Sequence, residues 1–272
     1  MTGISETFRE LRDRNEGALI AYLTVGDPHP LKTPKLVGAL IEGGADIIEL
    51  GIPFSDPIAD GPTIQNAVSR SLMSGTRPLD ALRIARTIGE MYDNPLVLML
   101  YYNPILRFGL PKFLNLAKKA GISGIVVPDL PVEESREYKK ECMSRAIDTI
   151  FLASPSSGLE RANQILAHAS GYLYLVSLYG VTGARTAVSE SALSLVKTYS
   201  RIAKDTIPLA VGFGISKPQH VTRIIKAGAD GVIVGSAFVR IVEENQRNMR
   251  RAALKLRGLS NSLKKAARFR HA

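Results

Sequence analysis

The sequence has one cysteine, no tryptophan and no apolar stretch that could cross a bilayer. A lone thiol, Cys142, cannot close an internal disulfide or build a thiolate metal cluster, and this points to a reducing compartment. No run approaches the roughly 18 apolar residues of a membrane helix, and Met1–Glu10 is too polar for a secretory signal. The expectation is a soluble, cytoplasmic chain. Glycine (23 residues) and proline (15) stay near average, which excludes collagen-like and low-complexity architectures. An apolar fraction of 45% supports a sizeable core and excludes disorder as the main state.

Acidic residues are missing from one segment only. Gln246–Ala272 holds nine Lys or Arg and no Asp or Glu, while the rest of the chain carries 26 basic against 25 acidic residues. The net charge of +10 therefore belongs to a C-terminal tail. Arg250, Arg251, Lys255 and Arg257 alternate there with Met249, Ala252, Leu254, Leu256 and Leu259, the pattern of an amphipathic helix with a solvated face and an apolar face for packing. Polyanion binding is the competing reading, although no aromatic-rich basic module supports nucleic acid. The division expected is a catalytic unit over 1–245 and a basic helical extension over 246–272.

The 272 residues match one (β/α)8 barrel, typically about 250 residues long. Short aliphatic runs suit strands buried on both faces, as a parallel sheet demands. Eight are predicted: Ala18–Leu23, Ile47–Gly51, Leu96–Tyr101, Gly124–Val127, Thr149–Ala153, Tyr172–Val176, Pro208–Val211 and Gly231–Val234. Helical patterns fall between them: Leu31–Ile41, Thr63–Ser74, Leu79–Met91, Leu110–Lys119, Val132–Arg145, Leu159–Ala167, Ser191–Ala203 and Pro218–Ala227. A polar opening helix covers Ser5–Arg14, and a last one follows Ala237. Gly43-Gly44-Ala45-Asp46 and Ala227-Gly228-Ala229-Asp230 read as helix-ending turns that feed the next strand, with Asp46 and Asp230 structural. The fold class is thus α/β, a single TIM barrel, whose chemistry lies at the strand C-terminal ends.

At that end, alternation along Ile47–Gly51 places Ile47, Glu49 and Gly51 on one face and Ile48 and Leu50 on the other. With the aliphatic pair against the helices, Glu49 enters the barrel. Desolvation there raises a carboxyl pKa and creates an acid or base for neutral pH. No basic residue in the predicted strands can pair with it. The following loop carries Asp56 and Asp60. Each suits a turn or helix cap as well as catalysis, but together with Glu49 they place several carboxyls at one mouth.

Gly180-Val181-Thr182-Gly183, Gly212-Phe213-Gly214 and Gly235-Ser236 follow strands six, seven and eight. Such loops, with a helix N-terminus, form the recurrent phosphate site of this fold. A Rossmann reading of Gly212-Phe213-Gly214 fails for want of a third glycine. The four histidines lack metal-ligand spacing, no lysine lies in a predicted strand, and neither a Gly-x-Ser-x-Gly nor a Walker A motif occurs. Carboxylate acid–base chemistry on a phosphorylated small molecule remains.

The stretch Glu49-Leu50-Gly51-Ile52-Pro53-Phe54-Ser55-Asp56-Pro57-Ile58-Ala59-Asp60-Gly61-Pro62-Thr63-Ile64-Gln65 resembles the signature of the tryptophan synthase alpha chain family. Thr24-Val25-Gly26-Asp27-Pro28, Pro131-Val132-Glu133-Glu134-Ser135 and the three glycine loops add to the resemblance, which spans about Glu16 to Val242. It implies cleavage of indole-3-glycerol phosphate to indole and glyceraldehyde 3-phosphate. Glu49 and Asp60 match the catalytic carboxylates, Tyr22, Leu100, Tyr102, Tyr174, Thr182 and Phe213 the substrate pocket, and Gly183, Gly214, Gly235 and Ser236 the phosphate site. Asp56, Asn103 and Pro104 match the interface with a beta-chain partner in an alpha2beta2 assembly. The resemblance gives this chain no cofactor, and pyridoxal phosphate belongs to the beta chain. A loop over Leu178–Ser189 is expected to close over substrate. Two rivals stay open: another phosphate-binding barrel enzyme, such as an isomerase or indole-glycerol-phosphate synthase, and a non-enzymatic phosphosugar or polyanion binder.

Overall fold

The structure, a computed structural model, describes residues 3–176, 190–203, 206–212 and 214–268. Strands β1 (Ala18–Thr24), β2 (Ile47–Gly51), β3 (Leu96–Met99), β4 (Ile122–Val126), β5 (Asp148–Ile150), β6 (Leu152–Ala153), β7 (Leu173–Leu175), β8 (Leu209–Val211) and β9 (Gly231–Val234) form one sheet. Its order is β5-β4-β3-β2-β1-β9-β8-β7-β6, and every pairing is parallel. The two outermost segments, β5 and β6, are separated by Phe151 alone. They are one strand, since the Phe151 carbonyl accepts the Tyr174 N–H of β7 at 3.0 Å, and the sheet closes on itself as an eight-stranded barrel. The expected fifth strand, Thr149–Ala153, is therefore present, its first half paired with β4 and its second with β7.

Helices α1 (Gly3–Asp13), α2 (Thr33–Glu42), α3 (Pro62–Met73), α4 (Pro78–Gly89), α5 (Tyr102–Phe108), α6 (Leu110–Lys119), α7 (Arg136–Met143), α8 (Leu159–His168), α9 (Glu190–Ala203), α10 (Pro218–Lys226), α11 (Ser236–Glu244) and α12 (Met249–Ala266) accompany the sheet. Two depart from expectation. Val132–Arg145 is not one helix: a 3-10 turn over Val132–Glu134 precedes α7, and the Ser135 hydroxyl between them donates to the Val132 carbonyl at 2.7 Å. A serine that bonds its own backbone competes with helix continuation. The short α5 lies where a loop was expected, because Pro104 falls in its first turn, where a missing N–H breaks no intrahelical bond.

Two apolar layers result. The inner one holds Ala18, Ile20, Ile47, Val97, Val126, Ile150, Tyr172, Ala210 and Ile233, stoppered by Ile4, Phe8 and Leu11 of α1. The outer one fills the space between strands and helices and includes Leu19, Ala21, Ile48, Leu50, Leu96 and Leu98. At the bottom, Gly44 (φ 95°) and Gly228 (φ 107°) take the left-handed backbone that turns each helix into the next strand. The aspartate that follows each turn accepts a bond from a neighbouring strand: Leu19 N–H to Asp46 Oδ2 at 2.7 Å, Leu209 N–H to Asp230 Oδ2 at 2.8 Å. Both aspartates are structural, as their position implied.

Helix α12 lies against α2, α10 and α11 and buries Ala252, Leu256, Ser260 and Leu263. Leu259 packs partly, but Leu254 is 63% exposed, contrary to expectation. It precedes the buried Leu256 by two positions, about 200° around the helix, so both cannot face the barrel. Lys264 is buried; its Nζ bonds Asp46 at 2.9 Å, Glu16 at 3.1 Å and the Gly17 carbonyl at 3.1 Å. No helix among the described residues is long and apolar enough to span a membrane. Removing the Lys264 ammonium takes the ion-pair partner from Asp46, at 13% side-chain exposure, and leaves Glu16, at 18%, with Arg268 at 3.6 Å. Lys264→Ala should thus cost about 3 kcal/mol, read as a lowered urea midpoint; an unchanged midpoint would refute the buried-ion reading.

Candidate active site

Glu49 projects from β2 into the barrel on the face of Ile47, as alternation requires, and is 0% exposed. Its Oε2 accepts a bond from the Tyr172 hydroxyl at 3.3 Å, and Oε1 finds no partner among the described residues. Burial pushes its pKa to about 8; Tyr172 offsets this in part, and the nearby Asp60 charge adds to it. Glu49 is therefore neutral at pH 7. Tyr172 is itself fixed from below by Phe8 of the stopper helix, ring centroids 6.0 Å apart.

Asp60 stands at the mouth, half-buried, with a pKa raised to about 6 by burial, against which a bond from Tyr101 works. The Tyr101 hydroxyl donates to Asp60 Oδ2 at 3.1 Å and accepts the Ala59 N–H at 2.9 Å. Its ring lies 5.4 Å from that of Phe54, so the loop carrying Asp60 is held at two points. Gln65 Nε2 bonds the Asp60 carbonyl at 2.8 Å from the first turns of α3.

Tyr22 and Tyr174 fill the space between the carboxyls. A side chain at Gly51 would come within 2.1 Å of the Tyr22 hydroxyl, and one at Gly212 within 2.7 Å of the Tyr174 ring. These glycines make room for aromatic rings that lie across the barrel top. Burial, with the charges of Glu49 and Asp60, keeps both phenols protonated. On its other side Tyr22 approaches Gly235, where an added Cβ would stand 3.3 Å from the ring. Gly235 is the N-cap of α11 and Ser236 its first residue, while Gly214 takes φ 53° in the loop after β8. Carboxyls and helix N-terminus thus sit on either side of Tyr22. Among the described residues, no group of three His, Cys, Asp or Glu side chains could hold a metal ion.

The model of the tryptophan synthase alpha chain family matches residues 8–268. The chain belongs to the tryptophan synthase alpha chain family. It is 49% identical over 265 residues to the tryptophan synthase alpha chain of Methanosarcina barkeri, covering 97% of this chain and 98% of that one. A Mycobacterium tuberculosis tryptophan synthase structure superposes with a TM-score of 0.89 at 37% identity, covering 97% and 98%. One from Pyrococcus furiosus, described as the tryptophan synthase a2b2 complex, gives 0.85 at 44% identity, covering 92% and 98%. The family's reaction is cleavage of indole-3-glycerol phosphate, which makes the chain a lyase.

Not every residue assigned by resemblance joins this cluster. Leu100 is buried just past β3 in the outer layer, and the Tyr102 ring packs edge-on to Tyr138 of α7 at 6.3 Å. Alternation along β3 turns Val97, Met99 and Tyr101 toward the barrel instead, so Tyr101 takes the place expected of Tyr102. Tyr172 is the other residue that sequence reasoning missed, although its two-residue spacing from Tyr174 was a usable signal. Thr182, Gly183, Phe213 and the loop 178–189 lie outside the described residues. Asp56 and Asn103 are exposed and Pro104 half-buried, next to the outward-facing Ile58 (81% exposed) and Leu106 (55%).

A pH-dependent stability follows from Glu49. Unfolded, it ionises near 4.5; folded, near 8. The fold binds that proton more tightly, so its contribution is fully present below pH 4.5 and is lost as pH rises through 8. Glu49→Gln abolishes this titration. The variant should match the parent at pH 4 and exceed it by roughly 5 kcal/mol at pH 9, as compared by urea unfolding. A difference that stays flat across that range would contradict a neutral, desolvated Glu49.

Proposed function

We propose that Glu49 and Asp60 divide the acid–base work of cleaving indole-3-glycerol phosphate, with Glu49 moving the proton and Asp60 holding the charge. The observation that carries this reading is the Glu49 carboxyl: fully buried, neutral at pH 7, and with Oε1 unpartnered among the described residues. A protein that only bound a phosphosugar would have no use for such a costly group.

Protonation of indole C3 turns the ring into an iminium, which accepts the electron pair of the breaking carbon–carbon bond. The side-chain hydroxyl loses its proton as its oxygen becomes the aldehyde carbonyl. One proton is given and one taken, so the reaction is balanced without an outside acid, and a carboxyl near pH 8 can serve both transfers. Asp60, with a pKa of about 6, is an anion at neutral pH and stabilises positive charge at the indole nitrogen. Tyr22 and Tyr174 flank the ring, Tyr101 stands beside Asp60 where the family likeness had suggested Tyr102, and Phe213 is assigned to the pocket by that likeness. Gly235, Ser236 and Gly214, with Thr182 and Gly183, receive the phosphate, for which the N-terminus of α11 supplies aligned N–H dipoles.

The chemistry requires only proton transfers, so this chain is assigned no cofactor. The Pyrococcus furiosus relative is described as an a2b2 complex with mutual activation. By that likeness the partner here is a beta chain, which carries pyridoxal phosphate and consumes indole in the cytoplasm. Asp56, Asn103 and Pro104 meet it, and Ile58 and Leu106 supply exposed apolar surface beside them.

Glu49→Gln should lower indole release at least ~10²-fold in a folded protein, and Asp60→Asn should be severely impaired as well. Near-normal turnover in either would remove that residue from the mechanism. Ser236→Asp puts a carboxylate at the first position of α11, where it favours the helix but repels phosphate. The Michaelis constant should rise with the thermal midpoint preserved; an unchanged constant would relocate the phosphate site.

A further inference from the structure

We infer that Arg70 is a positioning residue that holds the phosphate end of the site and its indole end at a fixed separation. It lies on α3, remote from both catalytic carboxyls. Its Nε and Nη2 donate to the two carboxylate oxygens of Asp27 at 2.8 and 2.9 Å, and its Nη1 donates to Glu243 Oε1 at 2.7 Å. Arg70 and Asp27 are nearly sealed from solvent, at 14% and 2% side-chain exposure, and Glu243 is at 33%. A planar guanidinium grips one carboxylate through two parallel bonds while reaching a second in the same plane; an ammonium is a point charge without that bidentate fork.

Each group joined at this point belongs to an element that carries part of the site. Helix α3 starts two residues after Asp60. Helix α11, which ends in Glu243 and Glu244, starts at Ser236. Asp27 follows β1, the strand of Tyr22. The β1 loop is further gripped by α3 through Ser71 Oγ to the Val25 carbonyl at 2.5 Å and by Ser74 Oγ to the Gly26 carbonyl at 3.2 Å. Both helices start at the site and are joined to each other and to the β1 loop at this lock, so it sets how far apart their starting ends stand. This inference rests on the assignment of phosphate to the α11 N-terminus.

A substrate gripped at both ends binds better than its two halves only while the two subsites keep the right spacing. Loosening the lock therefore weakens the intact substrate and spares the fragments. Glu243→Gln breaks only the link to α11 and leaves the buried Arg70–Asp27 pair intact, so folding is not at risk; Arg70→Lys loosens both links. In the full chain with beta chain present, glyceraldehyde 3-phosphate formation should show a KM for indole-3-glycerol phosphate raised about three- to fivefold in Glu243→Gln and about tenfold in Arg70→Lys. Inhibition by glycerol 3-phosphate and by indole, each alone, should match the parent. An unchanged KM in both variants overturns the inference. So does parallel weakening of substrate and fragments, which marks a general loosening of the fold. If glycerol 3-phosphate fails to compete even in the parent, the phosphate assignment falls first, and the lock with it.

Discussion

A neutral carboxyl sealed inside a closed barrel is the constraint around which this molecule is built. An ionised Glu49 would be cut off from water with no cation among the described residues to face it, so the fold keeps it protonated. Every layer helps. The strand through Phe151 closes the sheet by pairing with β4 and β7, α1 stoppers the bottom, and Tyr172 gives one weak hydrogen bond without adding charge. Asp60, nearer solvent and held by Tyr101, titrates about two pH units lower. Two chemically similar groups thus reach neutral pH in opposite states, one an acid and one an anion.

The bottom of the barrel has the contrary assignment. There the carboxylates are spent on geometry: Asp46 and Asp230 each bond a neighbouring strand, and Lys264 neutralises Asp46 and Glu16. Conservatively satisfied polar groups at one end allow an unsatisfied one at the other. Among the described residues, only Glu49 Oε1 and the Tyr199 hydroxyl are buried side-chain polar atoms without a hydrogen-bond partner.

Much of this was legible in the sequence, because the barrel strands are short and largely aliphatic, several of them entered through glycine turns, and because period-two alternation assigned Ile47 and Glu49 to the interior. The change of partner within Thr149–Ala153 left no trace, since it depends on which neighbouring strand each half meets and not on the residues themselves. The pair Tyr101 and Tyr102 shows a finer limit. Adjacent tyrosines look alike to any comparison of motifs, and only the phase of alternation from Val97 separates the one beside Asp60 from the one against Tyr138. The basic tail misled differently. Its charge drew attention to solvent, whereas Lys264 turns inward and Leu254 outward.

The bond from Lys264 to Gly17 joins positions 247 residues apart. Gly17 and Glu16 lead directly into β1, the strand that pairs with both β2 and β9. On a ribosome, then, the first strand is made early but its entry point stays unanchored until α12 has emerged. Half-barrels formed on the way expose sheet edges and the apolar surface that α12 covers on α2, the features that recruit chaperones and promote aggregation. Contacts so distant along the chain also slow the search for the native pairing. For this barrel, the final helix is a timer as well as a wall: it fixes the earliest moment in synthesis at which the site can hold its shape.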